Sequence, residues 1–379
     1  MHVSDCFLPR LGGIEIQVSE LTRMQQEAGH EVIVVTATAD REGRVEAPVP
    51  VHRLAVNLPW DLPIRPWASR HLTRLFDELQ PDVAHVHVGT VSPFAWSAVR
   101  QALRRRIPVV VTVHSMWDPF TRMLNRVLDA ATRWLSWPIV GTAVSQAAAD
   151  AIRKVTGDRL PIRVVANGID AAQWKIARNP SSESESGIVH IVSVGRLALR
   201  KRPVPFMKLL RAARARLDPA VRVRATLAGA GPSRGAVERY IGAHDMTSWV
   251  HLAGRLDRDQ VRELLEDADI FVAPAIQESF GIAALEARTA GIPIVAYAQS
   301  GVADFVEHGV EGLLGNTDEE VAAAIARLAG DSDLRTKIAE HNLASEPKHC
   351  TWPAVLDGFD DCYAEARARL AEVPADRRF

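Results

Sequence analysis

Along the whole chain, short runs of apolar, mostly β-branched residues alternate with longer amphipathic stretches. The runs are Glu31–Thr36 (EVIVVT), Asp82–His87 (DVAHVH), Pro108–Val113 (PVVVTV), Ile162–Val165, Ile188–Val194 (IVHIVSV), Val223–Leu227, Ile270–Ala273 and Pro293–Ala296. A run that is apolar on both faces fits a strand covered on both sides, as in a parallel sheet sandwiched by helices. The stretches between them supply the helices, most plainly Ile14–Ala28, Pro119–Leu135, Pro203–Leu217 and Ile282–Ala290. Such alternation predicts an α/β chain with parallel sheets.

The pattern breaks once, at residues 178–187 (RNPSSESESG), a polar stretch with one proline and four serines. That composition predicts a linker. It divides the 379 residues into two doubly wound domains, 1–177 and 188–352, in keeping with roughly 150 residues per domain. Residues 353–379 are expected to pack back on the first domain. Within them Pro353–Glu372 alternates apolar with charged positions and reads as a surface helix. Two doubly wound domains joined this way are expected to hold a ligand in the cleft between them, at the carboxyl ends of their strands. The first strand looks anomalous. Met1–Val3 is shorter than the usual five or six residues, so either the start lies upstream or strand one is a stub that leaves backbone groups unpaired.

Charge and cysteine content narrow the function classes. The 45 basic and 46 acidic residues nearly cancel, which argues against a nucleic-acid binder and against a highly charged disordered chain. Cys6, Cys350 and Cys362 are too sparse for a disulfide scaffold or a zinc site and fit a reducing compartment. No apolar run approaches the ~18 residues of a membrane span, and no signal peptide precedes the first motif. A cytoplasmic location is expected.

The strongest chemical signal is Glu278–Glu286 (ESFGIAALE). Glu278 falls on the loop after a strand. Gly281 opens a helix that carries Glu286 on its second turn. The free N–H groups of Phe280, Gly281 and Ile282, together with the helix dipole, make an anion site. The plain alternative is a surface carboxylate pair flanking a helix. A second signal, Gly195-Arg196-Leu197 with Lys201, follows the strand Ile188–Val194. Two cations at a strand's carboxyl end suit a diphosphate, arginine as a fork and lysine as a point charge. A solvated basic cluster with Arg200 and Arg202 is the alternative.

Weaker signals follow. Leu11-Gly12-Gly13-Ile14-Glu15 offers paired glycines at a strand-to-helix turn, where a backbone can approach phosphate closely or simply turn. Asn167-Gly168-Ile169-Asp170 suits a positive-φ turn with a structural role. His114 and Ser115 end the strand Pro108–Val113 and are expected to face the cleft. His85 and His87 share one strand face; without a third ligand in view they read as core or cleft-lining side chains. Asp267-Ala268-Asp269 mimics a metal motif but lies at a strand's amino end and reads as structural. No metal site is expected.

Taken together, these residues resemble the retaining glycosyltransferases of family 4, which have the GT-B fold. The matching pieces keep the family's order: PRLGGIE (9–15), AGHEVIVVT (28–36), PDVAHVH (81–87), VTVHS (111–115), VS (144–145), VANGID (165–170), VGRL with its lysine (194–201), LAGAGP (227–232), GRL (254–256), ESFGIAALE (278–286), AGIPIV (290–295) and GVEGLL (309–314). The resemblance implies that Arg196 and Lys201 hold a donor diphosphate without a metal and that Glu286 binds ribose hydroxyls. It implies further that Glu278 anchors the transferred sugar, with Phe280, Gly281 and Ile282 seating sugar and phosphate. Gly12 and Gly13 would let the first domain close on the diphosphate, His114 would sit beside the sugar, and Arg255 and Leu256 would flank the base. Three departures stand out. Ser300-Gly301-Val302-Ala303-Asp304 replaces the family's frequent Gly-Gly-x-x-Glu, Glu286-Ala287-Arg288-Thr289 replaces Glu-Ala-Met-Ala, and Arg202-Pro203 follows Lys201 where glycine is common.

The expected activity is transfer of a hexosyl group from a GDP- or UDP-sugar, with retention and with no cofactor beyond that co-substrate. A nucleotide-sugar-binding protein without turnover and a nucleotide-sugar epimerase are the alternatives. The acceptor (sugar, lipid-linked or small molecule) is poorly specified. Six of the nine tryptophans (60, 67, 96, 117, 134, 137) lie between residues 60 and 137, and between Trp60 and Val140 there are ten arginines against six acids. Arg122, Arg126 and Arg133 join Trp134 and Trp137 on a predicted helix. Such a surface suits peripheral contact with an anionic membrane; packing tryptophans under a solvated basic face is the alternative.

Overall fold

The computed structural model describes residues 1–10, 12–39, 47–54, 68–90, 92–176, 187–377 and 379. The chain forms two compact units, Met1–Gly168 with Trp352–Phe379, and Ile169–Thr351. Residues 178–186 of the expected linker lie outside the described residues, and the division falls earlier, at Gly168–Ile169.

The first unit is built on a seven-stranded parallel sheet in the order β3-β2-β1-β4-β5-β6-β7. Its strands are β1 (His2–Ser4), β2 (Val34–Thr36), β3 (Val51–Arg53), β4 (Ala84–Val88), β5 (Val109–Val113), β6 (Ile139–Ala143) and β7 (Ile162–Val164). Helices α1 (Gly13–Glu27), α2 (Ala68–Leu79), α3 (Pro93–Arg104), α4 (Pro119–Thr132) and α5 (Gln146–Thr156) alternate with them. The short first strand is accommodated. All three of its residues pair with β2 on one side and β4 on the other. Because β2 is equally short, the expected deficit of backbone partners does not arise along that edge.

The valines of β5 show why the runs are apolar throughout. Val109, Val111 and Val113 pack with Ala95, Ala98 and Ala102 of α3. Val110, on the other face, meets Leu21 of α1 and the chain's last helix. That helix, Trp352–Ala371, buries Val355, Phe359, Cys362, Tyr363 and Ala366 against the first sheet. It is therefore a core element and not the surface helix read from its charges. Its apolar residues recur every three or four positions, which lines them along one face.

The second unit has six parallel strands in the order β10-β9-β8-β11-β12-β13: β8 (Ile188–Val194), β9 (Arg222–Ala228), β10 (Val250–Gly254), β11 (Ile270–Ala273), β12 (Ile294–Tyr297) and β13 (Gly312–Gly315). Its helices are α6 (Ala171–Trp174), α7 (Pro203–Arg214), α8 (Arg234–Ala243), α9 (Arg258–Glu266), α10 (Ile282–Thr289), α11 (Asp318–Gly330) and α12 (Ser332–Ala344); the last helix of the chain is α13. In both units the first strand lies inside the sheet, third from one edge, and the order reverses between strands one and four. That reversal opens a crevice at the strands' carboxyl ends, where open α/β sheets bind ligands.

Candidate functional site

In the second unit that crevice lies between β8 and β11, and the strongest sequence signals sit on the loops leaving those two strands. Arg196 follows Gly195 at the end of β8 and is exposed; Lys201 closes a short 3-10 turn, Leu199–Lys201. Glu278 lies on the loop after β11. The structure joins the two signals: Lys201 Nζ donates to Glu278 Oε2 at 2.5 Å. The cation assigned to a diphosphate and the carboxylate assigned to a sugar are thus each other's partners.

Close backbone packing sets the position of Arg196. Gly195 N donates to Ala228 O and Leu197 N to Ala230 O, both at 2.9 Å. At Gly229, where φ is 143°, a Cβ would stand 1.9 Å from Gly195 O. Only glycine lets these two loops meet. Gly229 N in turn donates to Gly254 O, which ties in the loop carrying exposed Arg255 and half-buried Leu256.

Gly281 caps α10 at φ 94°, and a Cβ there would meet Val302 Cγ2 at 2.7 Å. Its carbonyl accepts from Ala284 and Leu285. The N–H groups of Phe280, Gly281 and Ile282 have no protein acceptor among the described residues, which leaves donors for an anion. Gly301 N donates to Glu278 O at 2.9 Å, so the variant Ser300–Asp304 segment supports the Glu278 loop through its backbone. On α10, desolvation pushes the Glu286 carboxyl up to about 8, partly relieved by Arg258. Arg258 lies over the Trp174 ring, 5.4 Å from its centroid.

The other two departures have structural explanations. Arg202 adopts the left-handed conformation, φ 54°, where glycine is least strained. It is held by Nη2, which donates to both carboxylate oxygens of Asp318 (2.9 and 2.8 Å), and by Nη1, which donates to Tyr297 OH at 2.6 Å. Arg288 is buried and donates to Glu311 Oε1 and Ser345 Oγ, each at 3.2 Å. Asp267 and Asp269 serve the amino end of β8: Asp269 Oδ2 accepts from His190 N and Asp267 O bonds the His190 ring.

In the first unit Gly12 is extended and Gly13 begins α1. Glu15 folds back so that a Cβ on Gly12 would lie 2.5 Å from its Oε2, and Arg10 pairs with it at 3.1 Å. The Asn167-Gly168 pair is structural, but not as a positive-φ turn: Gly168 is needed because a Cβ would enter the Trp352 ring at 2.5 Å. His114 ends β5, half-buried, its N donating to Val88 O.

His85 and His87 do acquire a third imidazole. His2 of β1 stands beside them, and nitrogens of the three rings lie within 4.8 Å of one another. Each of their ring nitrogens already has a hydrogen-bond partner, so the cluster is satisfied by protein groups alone. His2 was not legible as a member because more than eighty residues separate it from β4. Asp5 was missed for a similar reason. Its carboxylate accepts from Phe94 N and Ala95 N at the start of α3, both at 3.2 Å, and burial pushes its pKa up to about 7.

Helix α4 is inverted relative to an ordinary surface helix. It buries Thr121 and Asn125 and exposes Phe120, Met123, Leu124 and Val127, with Arg126 and Arg133 also exposed. Trp117, Trp134 and Trp137 are core residues, so they do not form the aromatic surface considered from the sequence. Trp60 and Trp67 lie outside the described residues.

The family described as Glycosyltransferase Family 4 matches residues 11–173, and that described as Glycosyl transferases group 1 matches residues 177–343. A glycogen synthase of Mycobacterium tuberculosis is 29% identical over 305 residues, covering 76% of this chain and 70% of the relative. The D-inositol 3-phosphate glycosyltransferase of Salinispora arenicola is 26% identical, covering 94% of this chain and 88% of the relative. Among solved structures, Anabaena HepE in complex with UDP-glucose superposes with a TM-score of 0.75 at 19% identity, covering 96% of this chain and 98% of that one.

Proposed function

The chain belongs to glycosyltransferase family 4, a family of retaining GT-B enzymes that use nucleotide sugars, and on that premise we propose that it transfers a hexosyl group from a UDP- or GDP-sugar. The observation that carries the finer reading is the convergence at the β8/β11 crevice of Lys201, Glu278 and the free N–H groups that open α10. In this reading Arg196, Lys201 and those N–H groups take up the charge that grows on the departing diphosphate. Each donor contributes about 2.7–4 kcal/mol, by analogy with an oxyanion donor. Glu278 anchors hydroxyls of the transferred sugar, and Glu286 takes the ribose hydroxyls. Arg255 and Leu256 flank the base. For the first unit, the family resemblance alone supports roles for Gly12 and Gly13 at the diphosphate and for His114 beside the sugar. No metal takes part.

A panel of nucleotide sugars, scored for release of nucleoside diphosphate, tests the proposal. UDP-glucose comes first because a solved fold relative is described with it. Arg196→Ala and Lys201→Ala should each lower turnover by roughly 10²-fold or more in folded protein, and chelator should leave the rate unchanged. Loss with chelator and recovery with Mn²⁺ would overturn the metal-free clamp.

The proposal extends to where the acceptor is met. Among the described residues no helix is long and apolar enough to cross a membrane. Yet α4 presents an apolar stripe at positions i, i+3, i+4 and i+7 beside exposed arginines, the face of a helix that lies on anionic lipid. A lipid-linked acceptor at such a surface is the reading this favours. The protein should sediment with vesicles containing phosphatidylglycerol and not with pure phosphatidylcholine. Phe120→Ser with Val127→Ser should abolish that binding; equal binding by this variant would exclude α4 as the contact.

A further inference from the structure

The buried imidazoles form one end of a continuous hydrogen-bonded path that reaches His114. His2, His85, His87 and Gln25 are each almost wholly enclosed between the first sheet and helices α1 and α13. Tyr363 of α13 accepts from Gln25 Nε2 at 2.8 Å. Gln25 Oε1 bonds His2 Nε2 at 2.6 Å. His2 Nδ1 meets His87 Nε2 at 3.0 Å, and His87 Nδ1 meets His114 Nε2 at 3.0 Å.

The direction of this path follows from what each atom can do. An amide oxygen only accepts, so His2 donates from Nε2. A neutral imidazole carries one proton, so His2 Nδ1 accepts from His87 Nε2–H, and His87 Nδ1 accepts from His114 Nε2–H. His114 is left with a bare Nδ1. The rings are neutral because burial holds all four below the ordinary value, His2 at about 3 and His114 at about 4. A second branch fixes the amide. With its oxygen occupied by Gln25 N–H, the Tyr363 hydroxyl donates to His85 Nδ1 at 2.8 Å. His85 Nε2–H then bonds Thr112, which bonds Thr142, both at 2.6 Å. If the Gln25 amide turned over, every proton on both branches would shift to the opposite partner, and His114 would present Nδ1–H instead.

We propose that Gln25 and Tyr363 are positioning residues that set the tautomer of His114 through the His2–His87 relay. His114 then offers Nδ1 as a hydrogen-bond acceptor to a hydroxyl of the transferred sugar. This last step rests on the proposed placement of His114 beside the sugar. The relay itself does not, since it is complete without ligand. It makes a residue more than two hundred positions distant in sequence, on the chain's last helix, part of the specification of a group at the end of β5.

Two-bond ¹⁵N–¹H correlation spectra of histidine-labelled protein read ring tautomers directly. In the unliganded protein His2, His87 and His114 should all be Nε2–H tautomers. Tyr363→Phe removes only a hydroxyl and frees the amide to turn, so His114 should become a mixture of tautomers and kcat should fall about tenfold. Affinity for nucleoside diphosphate, which the proposed reading draws mainly from Arg196, Lys201 and Glu286, none of them on the relay, should not change. Adding Gln25→Glu to that variant supplies a group that only accepts once ionised, and should restore the single tautomer and the rate as pH rises through its titration. An Nδ1–H His114 in the parent protein, or an unchanged tautomer in Tyr363→Phe, would overturn the relay. A tautomer that shifts with no change in kcat would uphold the relay and overturn the placement of His114 beside the sugar.

Discussion

Two residues show how environment sets role. Glu286 has a carboxyl pushed from an ordinary 4.5 to about 8, chiefly by desolvation, so the unliganded protein holds it protonated at neutral pH. A folded-state value above the unfolded one gives stability that is full below about 4.5 and declines as pH rises through 8. If ribose hydroxyls donate to this group, binding favours its ionised form. Calorimetry in buffers of different ionisation enthalpy should then record about one proton released per nucleotide at pH 7. Affinity should rise from pH 6 to 8, and Glu286→Gln should bind weakly at every pH without releasing the proton. Arg202 poses a different balance. Its left-handed backbone costs roughly 1–2 kcal/mol, set against a half-exposed ion pair with Asp318 of the kind worth about 0.2–1 kcal/mol. Urea titration should therefore find Arg202→Gly at least as stable as the parent, and Arg202→Ala less stable than both. Neither balance could be read from the sequence, which shows a glutamate and an arginine but not the desolvation around one or the φ of the other.

Among the elements, loops are fixed by what lies against them. The β8 and β9 loops approach so closely that any side chain at Gly229 would enter the Gly195 carbonyl, and backbone cannot yield as a flexible side chain can. Gly229→Ala should lower nucleotide affinity by at least tenfold, measured calorimetrically, because it displaces the loop that presents Arg196. Ile188–Val194 and Ile270–Ala273 were legible as strands because both faces are apolar, and the structure places them at the same residues. Val51–Arg53, Ile139–Ala143, Val250–Gly254 and Gly312–Gly315 were not. They are short, or interrupted by histidine or glycine, and pairing with a neighbour defines them more than composition does. The last helix was legible as a helix, but its charges hid a buried face. Helix α4 reversed the usual rule, exposing its apolar positions, and only its surroundings reveal that.

For the whole molecule, both sheets share the order 3-2-1-4-5-6 counted within each unit, with one further strand in the first. Parallel α/β architecture follows from the alternation of runs, and the resemblance supplied the GT-B pairing of two such units. Strand order explains why Lys201 and Glu278, 77 residues apart, come together: they leave the two strands that flank the reversal. Motif spacing could locate each of them but could not reveal that they bond to one another.

That bond changes what capture of a ligand means here. Before any donor arrives, Lys201 and Glu278 already neutralise each other at 2.5 Å, so under the proposed roles of these two residues binding is an exchange of partners. An anion alone can take the lysine but strands the carboxylate, which is 12% exposed and poorly placed to find water instead. Only a molecule that brings both a diphosphate and a set of sugar hydroxyls satisfies the two ends together. Once the sugar has been handed on, the spent nucleotide no longer does so, and the old pairing can reassert itself and push the product out. The enzyme would then distinguish fuel from ash by one internal handshake. Glu278→Gln, which weakens that handshake, should bind nucleoside diphosphate at least as tightly as the parent, transfer sugar poorly, and suffer stronger product inhibition. Weaker diphosphate binding by that variant would show that the pair does not compete with the ligand.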